Sequence, residues 1–180
     1  MKFSELLDQV RDQALSQEQR VTEAVSGVEA KLNEKTSAHE WSVLGIIHHM
    51  VTAHKYYLEA IEEAISNGVQ GADGDIKHTW LGKLLLKINK PGGNFPAPKI
   101  LRPSDPSYPN EILDEWRSQL RSAAELAGRA RGLDLNNSRV RNPFLKPVHQ
   151  SLGDCFAIMV VHLERHVQQI EAVCGELRRV

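Results

Sequence analysis

The chain has 180 residues, enough for one domain, or one domain with a sizeable insertion, and enough to bury a real core. Its 22 basic and 23 acidic side chains leave a formal charge of -1, so no net positive field attracts nucleic acid or anionic lipid. The first residues, MKFSELLDQVRDQ, are charged where a signal peptide is apolar, and no run approaches about 18 apolar residues. We therefore expect a cytoplasmic protein that binds neither nucleic acid nor membrane.

Four long segments have helical periodicity, and nothing resembles a strand of alternating apolar residues. The sequence therefore predicts an all-α protein. The first predicted helix covers about residues 3–33, with apolar residues at three- and four-residue spacing. This spacing changes phase near Ser16, which favours a kink there.

The second predicted helix starts after Ser37, or after Trp41 and Ser42, and extends to about Ser66. An Asn-Gly pair at 67–68 is the expected stop signal. The inward-facing positions of this helix are Val43, Ile47, Met50, His54, Leu58, Ile61 and Ile65.

Between about residues 68 and 107 the periodicity breaks, and the stretch KPGGNFPAP cannot lie inside a helix. We interpret this region as a long crossover insertion that contains one short helix, about residues 78–88. Loops of this length in a compact domain are candidate walls of a binding site. Trp80 and Phe95 are weak candidates for the mouth of a pocket, and Lys99 and Arg102 are candidates for contacting an anionic substrate.

The third predicted helix covers about residues 110–131 and is closed by Gly132. A second connection, about residues 133–150, leads to a fourth helix at about 151–178. Four amphipathic helices with long crossovers are typical of a four-helix bundle that is not connected by short hairpins alone. We expect one domain of this kind over residues 1–180.

A pair of histidines lies in the apolar stripe of the fourth helix. His162 and His166 are one turn apart, so their ring nitrogens can reach a common point. This geometry suits a divalent metal with nitrogen ligands at about 2.0–2.1 Å. The full stripe is Cys155, Met159, His162, His166, Ile170, Val173 and Leu177.

The stretch VHLERHV invites comparison with the H-E-x-x-H helix of zinc proteases. In that motif the glutamate directly follows the first histidine, about 100° around the helix, and can act on metal-bound water. Here Glu164 comes two residues after His162, about 200° away, so it should face solvent. The stretch is therefore not the protease motif, and we interpret Glu164 and Arg165 as a solvated helix face.

A third ligand must come from another helix, and the second helix offers three histidines. His48 should face solvent, because it lies roughly 160° from the inward-facing Met50. His54 is inside the apolar stripe, and His49 lies at its border beside small alanines. Periodicity alone does not choose between His49 and His54.

The two cysteines fall in the same predicted helix. At about 1.5 Å per residue, Cys155 and Cys174 lie roughly 28 Å apart, far beyond disulfide reach. We expect buried free thiols.

Two stretches resemble a known family. WSVLGIIHHM, residues 41–50, is similar to the start of the second helix in the DinB-like (DinB/YfiT) superfamily, where the histidine eight residues after the tryptophan is a metal ligand. SLGD at 151–154 and HLERHVQQI at 162–170 resemble the last helix of the family, where H-x-x-x-H supplies two more ligands. The resemblance implies an up-down-down-up four-helix bundle in which His49, His162 and His166 are the ligands. Gln169 is a candidate for orienting one of them.

The resemblance also implies an open coordination position and a small-molecule substrate. Characterised relatives include thiol-dependent S-transferases that use low-molecular-weight thiols, and others are described as metal-dependent hydrolases. Three imidazoles accept several divalent ions; zinc and nickel are our first expectations, and iron is the next. The alternatives are a non-catalytic, stress-related metal-binding module and a helical interaction scaffold, and a homodimer is left open.

Overall fold

The computed structural model describes residues 1–36, 41–93, 96–104, 107–144 and 148–179, and within these ranges the protein is mostly helical. The four long predicted helices and the short one are all present, so the expectation of a mostly helical protein is confirmed. The helices are α1 (Phe3–Val25), α2 (Val43–Ser66), α3 (Trp80–Asn89), α4 (Ile112–Arg129) and α5 (Leu152–Leu177). Two short 3-10 helices, Glu29–Lys31 and Lys99–Leu101, lie between them.

The first helix ends earlier than predicted. It is continuous through Ser16 and stops at Val25, and the break follows at Gly27, whose φ of +80° suits glycine. Apolar spacing continues past this turn through Val28 and Leu32, both buried. The periodicity therefore extended beyond the helix that it predicted.

The all-α prediction is broadly consistent with the structure, but a small sheet accompanies the helices. β1 (Arg139–Arg141) and β2 (His149–Ser151) form a small antiparallel sheet in which Val140 pairs with Gln150. Strands of three residues are too short for an alternating pattern to be recognised. Their extended conformation is stabilised by the hydrogen bonds between the two strands. β2 leads directly into α5, whose first turn is capped by Ser151.

The four long helices pack side by side around two apolar clusters. α1 contacts α4 and α5, and α2 contacts the same two helices. Trp116 and Phe156 are among the largest fully buried side chains. The two cysteines are buried free thiols, as expected. Among the described helices, none combines the length and the hydropathy that a membrane-spanning segment requires.

The short helix α3 lies outside this packing and contacts α5 and β2. Its N-terminal end is anchored to the fully buried Asp154, whose carboxylate accepts hydrogen bonds from the Thr79 hydroxyl (2.6 Å) and backbone N–H (3.2 Å) and lies 2.8 Å from His78 Nδ1. Gly82 lies directly against that carboxylate, since a Cβ built at this position would be 2.1 Å from Asp154 Oδ1. The close approach of α3 to α5 therefore requires glycine at position 82.

Candidate metal centre

Helices α2 and α5 bring three of the predicted histidines together. His49 Nε2 lies 3.2 Å from His162 Nε2, and the ring centre of His166 lies 4.6 Å from that of His49 and 4.5 Å from that of His162. One nitrogen from each ring lies within 4.8 Å of one nitrogen from each of the others. The three histidines can therefore reach a common metal ion.

The separation of the nitrogens suits such an ion. Two imidazole nitrogens on one tetrahedral zinc ion, each at about 2.05 Å, lie about 3.3 Å apart. The observed 3.2 Å between His49 and His162 is close to this separation. The donor set is also the one that zinc, nickel and iron accept.

Hydrogen bonds at the opposite side of two rings leave these nitrogens free. His49 Nδ1–H donates to the backbone carbonyl of Leu101 at 2.7 Å, and His166 Nδ1–H donates to Gln169 Oε1 at 3.0 Å. Because a neutral imidazole carries one proton, each Nε2 then has an available lone pair. Gln169 thus occupies the orienting position suggested by the sequence, and Leu101 provides a second one from the crossover.

His162 has an unusual partner, the fourth histidine His54. Its Nδ1 lies 3.4 Å from His54 Nε2, while its Nε2 faces His49. When His162 donates Nδ1–H to His54, the Nε2 lone pairs of His162 and His49 face each other, and a cation between them relieves their repulsion. The donor chemistry of the site therefore fits a metal ion.

Burial keeps the four rings neutral. Loss of contact with water lowers the pKa of both His49 and His54 to about 4. Burial, followed by the neighbouring imidazoles, holds the pKa values of His162 and His166 well below the usual range. Neutral imidazole is the form that binds metals, so the site is ready for an ion at neutral pH.

The three histidines lie in the wall of a cavity of about 540 Å³. Trp41 contributes to this wall, with its ring 5.1 Å from His49 and stacked 6.4 Å from His166. No aspartate or glutamate is among the described residues of the lining. Most of the lining is apolar, and it includes Ala53, Tyr57, Leu81, Leu84, Leu85, Ile88, Pro96, Pro98, Phe144, Ile158 and Met159.

Several sequence expectations about individual residues need correction. His48 is only partly exposed, because its ring stacks on Tyr108 at 4.4 Å. Glu164 does point away from the cavity, but it pairs with Arg20 at 2.8 Å and is not a freely solvated side chain. Trp80 is 79% exposed and lies outside the described lining of the cavity.

Among the other crossover candidates, Lys99 and Arg102 are exposed and do not line the cavity. Phe95 lies outside the described residues.

Sequence reasoning missed Arg165, which lines the cavity beside His166. A signal was present: His162, Arg165, His166 and Gln169 follow one another at i, i+3, i+4 and i+7, the spacing of a single helix face. The charge of Arg165 favoured a solvent-facing interpretation, and α3, which covers this face, could not be placed from the sequence.

The fold and the three converging histidines place this chain in the class of helical proteins with a candidate metal centre between their helices. The family model of the DinB superfamily matches residues 5–170, and the chain belongs to that superfamily. No curated protein and no solved structure matches the chain.

Proposed function

We propose that this protein is a metal-dependent transferase that joins a low-molecular-weight thiol to an electrophilic small molecule. His49, His162 and His166 would hold the metal. The observation that carries the proposal is the convergence of three neutral imidazoles in the wall of a cavity whose described lining contains no carboxylate.

A divalent ion held by three neutral ligands would keep its full charge, and it would stabilise a thiolate or lower the pKa of bound water. Leu101, Gln169 and His54 hold the ligand rings in the tautomer that presents Nε2. The apolar walls exclude water from the thiolate and the electrophile. In the reaction, the thiolate sulfur forms a bond to the electrophilic carbon, the leaving group departs with its electron pair, and the thiol proton passes to solvent.

Hydrolysis is the second candidate. Activation of water in metal-dependent hydrolases commonly uses a nearby carboxylate as general base. Glu164 pairs with Arg20 on the side of α5 that faces α1, outside the described lining of the cavity. The described lining itself contains no acidic side chain. This absence favours thiol transfer over hydrolysis. A non-catalytic, stress-related metal-binding module and a helical interaction scaffold are the remaining alternatives.

We also propose that the four long helices form an up-down-down-up bundle over residues 1–180. One apolar cluster joins the first residues of α1 and α5 to the last residues of α2 and α4. The other cluster joins the opposite ends, the last part of α1 and α5 and the first part of α2 and α4. The helix ends that share each cluster support a bundle in which α1 and α5 run in one direction and α2 and α4 run in the other.

Metal content tests the site directly. Protein purified without an affinity tag should contain about one divalent ion per chain by elemental analysis, with zinc or nickel expected first and iron next. His162→Ala should reduce the content several-fold. His149→Ala, which removes an exposed histidine from β2, is the matched control and should leave it unchanged. Equal metal content in all three proteins would overturn the site.

Turnover tests the reaction. We expect the metal-loaded protein to accelerate the displacement of chloride from 1-chloro-2,4-dinitrobenzene by a panel of small thiols. The activity should be lost in His162→Ala and retained in His149→Ala. If the protein contains stoichiometric metal but does not accelerate the displacement of chloride by any thiol in the panel, the non-catalytic module is favoured.

A further inference from the structure

Arg165 is the one cationic side chain, histidines apart, among the described residues that line the cavity. It is half-buried, and its Nη1 donates a hydrogen bond to the backbone carbonyl of Ile88 at 2.9 Å, at the C-terminal end of α3. This is its single hydrogen bond within the described ranges. A guanidinium has five N–H donors, so most of them are available to a bound molecule.

Within the described ranges no acidic side chain pairs with Arg165, and the described lining of its cavity contains no aspartate or glutamate. Arg20, on the opposite side of α5, contrasts with it, because Arg20 pairs with both Glu164 (2.8 Å) and Glu171 (2.7 Å). A half-buried cation without a counterion is less well compensated than Arg20, and the anionic group of a ligand would supply the partner.

The capping role towards α3 accounts for the charge only in part. A helix C-terminus favours a cation, but it carries only about half of an elementary negative charge and so does not balance a full positive one. Arg102 shows the ordinary arrangement: it too donates to a backbone carbonyl, that of Ala97 at 2.7 Å, but it is exposed and water solvates its charge.

The rest of the cavity suits an apolar body. Leu81, Leu84, Leu85 and Ile88 of α3 form one wall, and Tyr57, Phe144 and Met159 line other parts of the cavity. A volume of about 540 Å³ is within the range of sites for ligands of drug-like size. A divalent ion on neutral histidines would add a second positive charge near Arg165.

We propose that this cavity binds an amphipathic anion, an apolar molecule with one carboxylate or sulfonate group, and that Arg165 pairs with the anionic group. The planar guanidinium suits such a group because its parallel N–H donors match two oxygens. The inference deepens the proposed function by naming the class of its electrophilic substrate, and it rests on that function only for calling the bound molecule a substrate.

Two fluorescent probes with the same rings separate the anion from the apolar body. 1-Anilinonaphthalene-8-sulfonate carries a sulfonate, and N-phenyl-1-naphthylamine lacks it. Each probe is titrated, with a metal chelator in the buffer, into the wild type and into the variants Arg165→Met, Arg165→Gln and Arg102→Met. Circular dichroism establishes that each variant is folded.

We expect Arg165→Met and Arg165→Gln to weaken binding of the sulfonate probe about tenfold or more and to change binding of the neutral probe by less than about twofold. Arg165→Gln is the decisive variant, since it removes the charge and keeps a polar N–H donor in the wall of the cavity. Arg102→Met removes an equal charge outside the cavity and should change neither affinity. Unchanged sulfonate binding in Arg165→Gln, or equal weakening of both probes, overturns the proposal.

A test on the wild type does not depend on the folding of any variant. Dodecanoate and dodecanol have the same chain and differ in charge. Dodecanoate should displace the neutral probe at a concentration about tenfold or more below that of dodecanol. Equal potency overturns the anion site.

The outcome can be told apart from failure of the metal site. An intact preference for the anion in a protein that binds no metal overturns the proposed function and leaves the anion site standing. Stoichiometric metal in a protein whose preference for the anionic probe does not depend on Arg165 overturns the anion site and leaves the metal site standing.

Discussion

His54 Nε2 lies 3.4 Å from His162 Nδ1, opposite the nitrogen that His162 turns towards His49. A buried histidine therefore lies behind a candidate ligand histidine, in the position often taken by a carboxylate or a backbone carbonyl. A neutral support leaves the charge of a bound metal intact, which a carboxylate would reduce.

Replacing His54 with Phe should weaken metal binding about 10–100-fold, the usual cost of losing a partner behind a ligand. The physical reason is that His162 loses the acceptor for Nδ1–H. Competition with a chromophoric chelator measures the affinity. His54→Gln retains an acceptor oxygen and should recover part of it. If His54→Phe binds metal as tightly as the wild type, His54 has no orienting role.

Gly82→Ala should destabilise the protein by about 1–3 kcal/mol, because the added methyl group would overlap the buried Asp154 carboxylate and force α3 away from α5. Urea unfolding measures the change. Gly128→Ala is the matched control in the exposed face of α4, where a Cβ meets no atom within 4 Å. It should stabilise by about 0.5–1 kcal/mol. Similar effects of both substitutions would contradict the close packing at Gly82.

The metal-free protein should lose stability as the pH falls from about 6.5 to about 4. His49 and His54 have an ordinary pKa of 6.5 that burial lowers to about 4, so in this window the unfolded chain binds more protons than the folded chain. The free energy of unfolding therefore rises with pH up to about 6.5, and the contribution of His54 alone is at most about 3 kcal/mol.

Urea unfolding at pH 5 and pH 7, with a chelator present, checks this pH dependence. His54→Phe should reduce the difference between the two pH values. Carboxylates with lowered pKa values, such as Asp73 and Asp134, act with the same sign but at more acidic pH. A stability that does not change between pH 5 and pH 7 would contradict the burial of neutral histidines.

Arg20→Met should destabilise the protein by about 1 kcal/mol, because Arg20 links α1 to both Glu164 and Glu171 of α5. Salt should reduce the difference between the wild type and the variant, since these groups are partly exposed. Arg11→Met provides the control. Arg11 pairs with Asp8 within α1 at 3.7 Å, and both side chains are about half exposed, so no measurable effect is expected. Equal effects of the two substitutions would show that the links between helices contribute little.

The positions of the helices could be read from the sequence to within a few residues, except at the end of α1. Apolar residues every three or four positions mark a buried helix face whatever covers that face. At α1 the same spacing continued beyond the turn at Gly27, because Val28 and Leu32 are buried without being in the helix. The small sheet left no pattern in the sequence, since its strands are three residues long and are stabilised by their pairing with each other.

The histidines of the candidate site show the same division. Their spacing placed His162 and His166 on one face of a helix, and this is local geometry that the sequence alone determines. The choice between His49 and His54 came from family resemblance, because it depends on how α2 is rotated against α5. The structure brings His49 within 3.2 Å of His162 and places His54 behind it.

Arg165 shows what only the tertiary structure decided. From its charge alone it belongs on a solvated face, and the preference of a charged group for water is a sound local rule. The rule does not hold here because α3, anchored on Asp154 more than 70 residues away in the chain, covers that face of α5 and turns it into the wall of a cavity. Periodicity determines which residues share a helix face, whereas long-range packing determines whether that face meets water, core or a ligand.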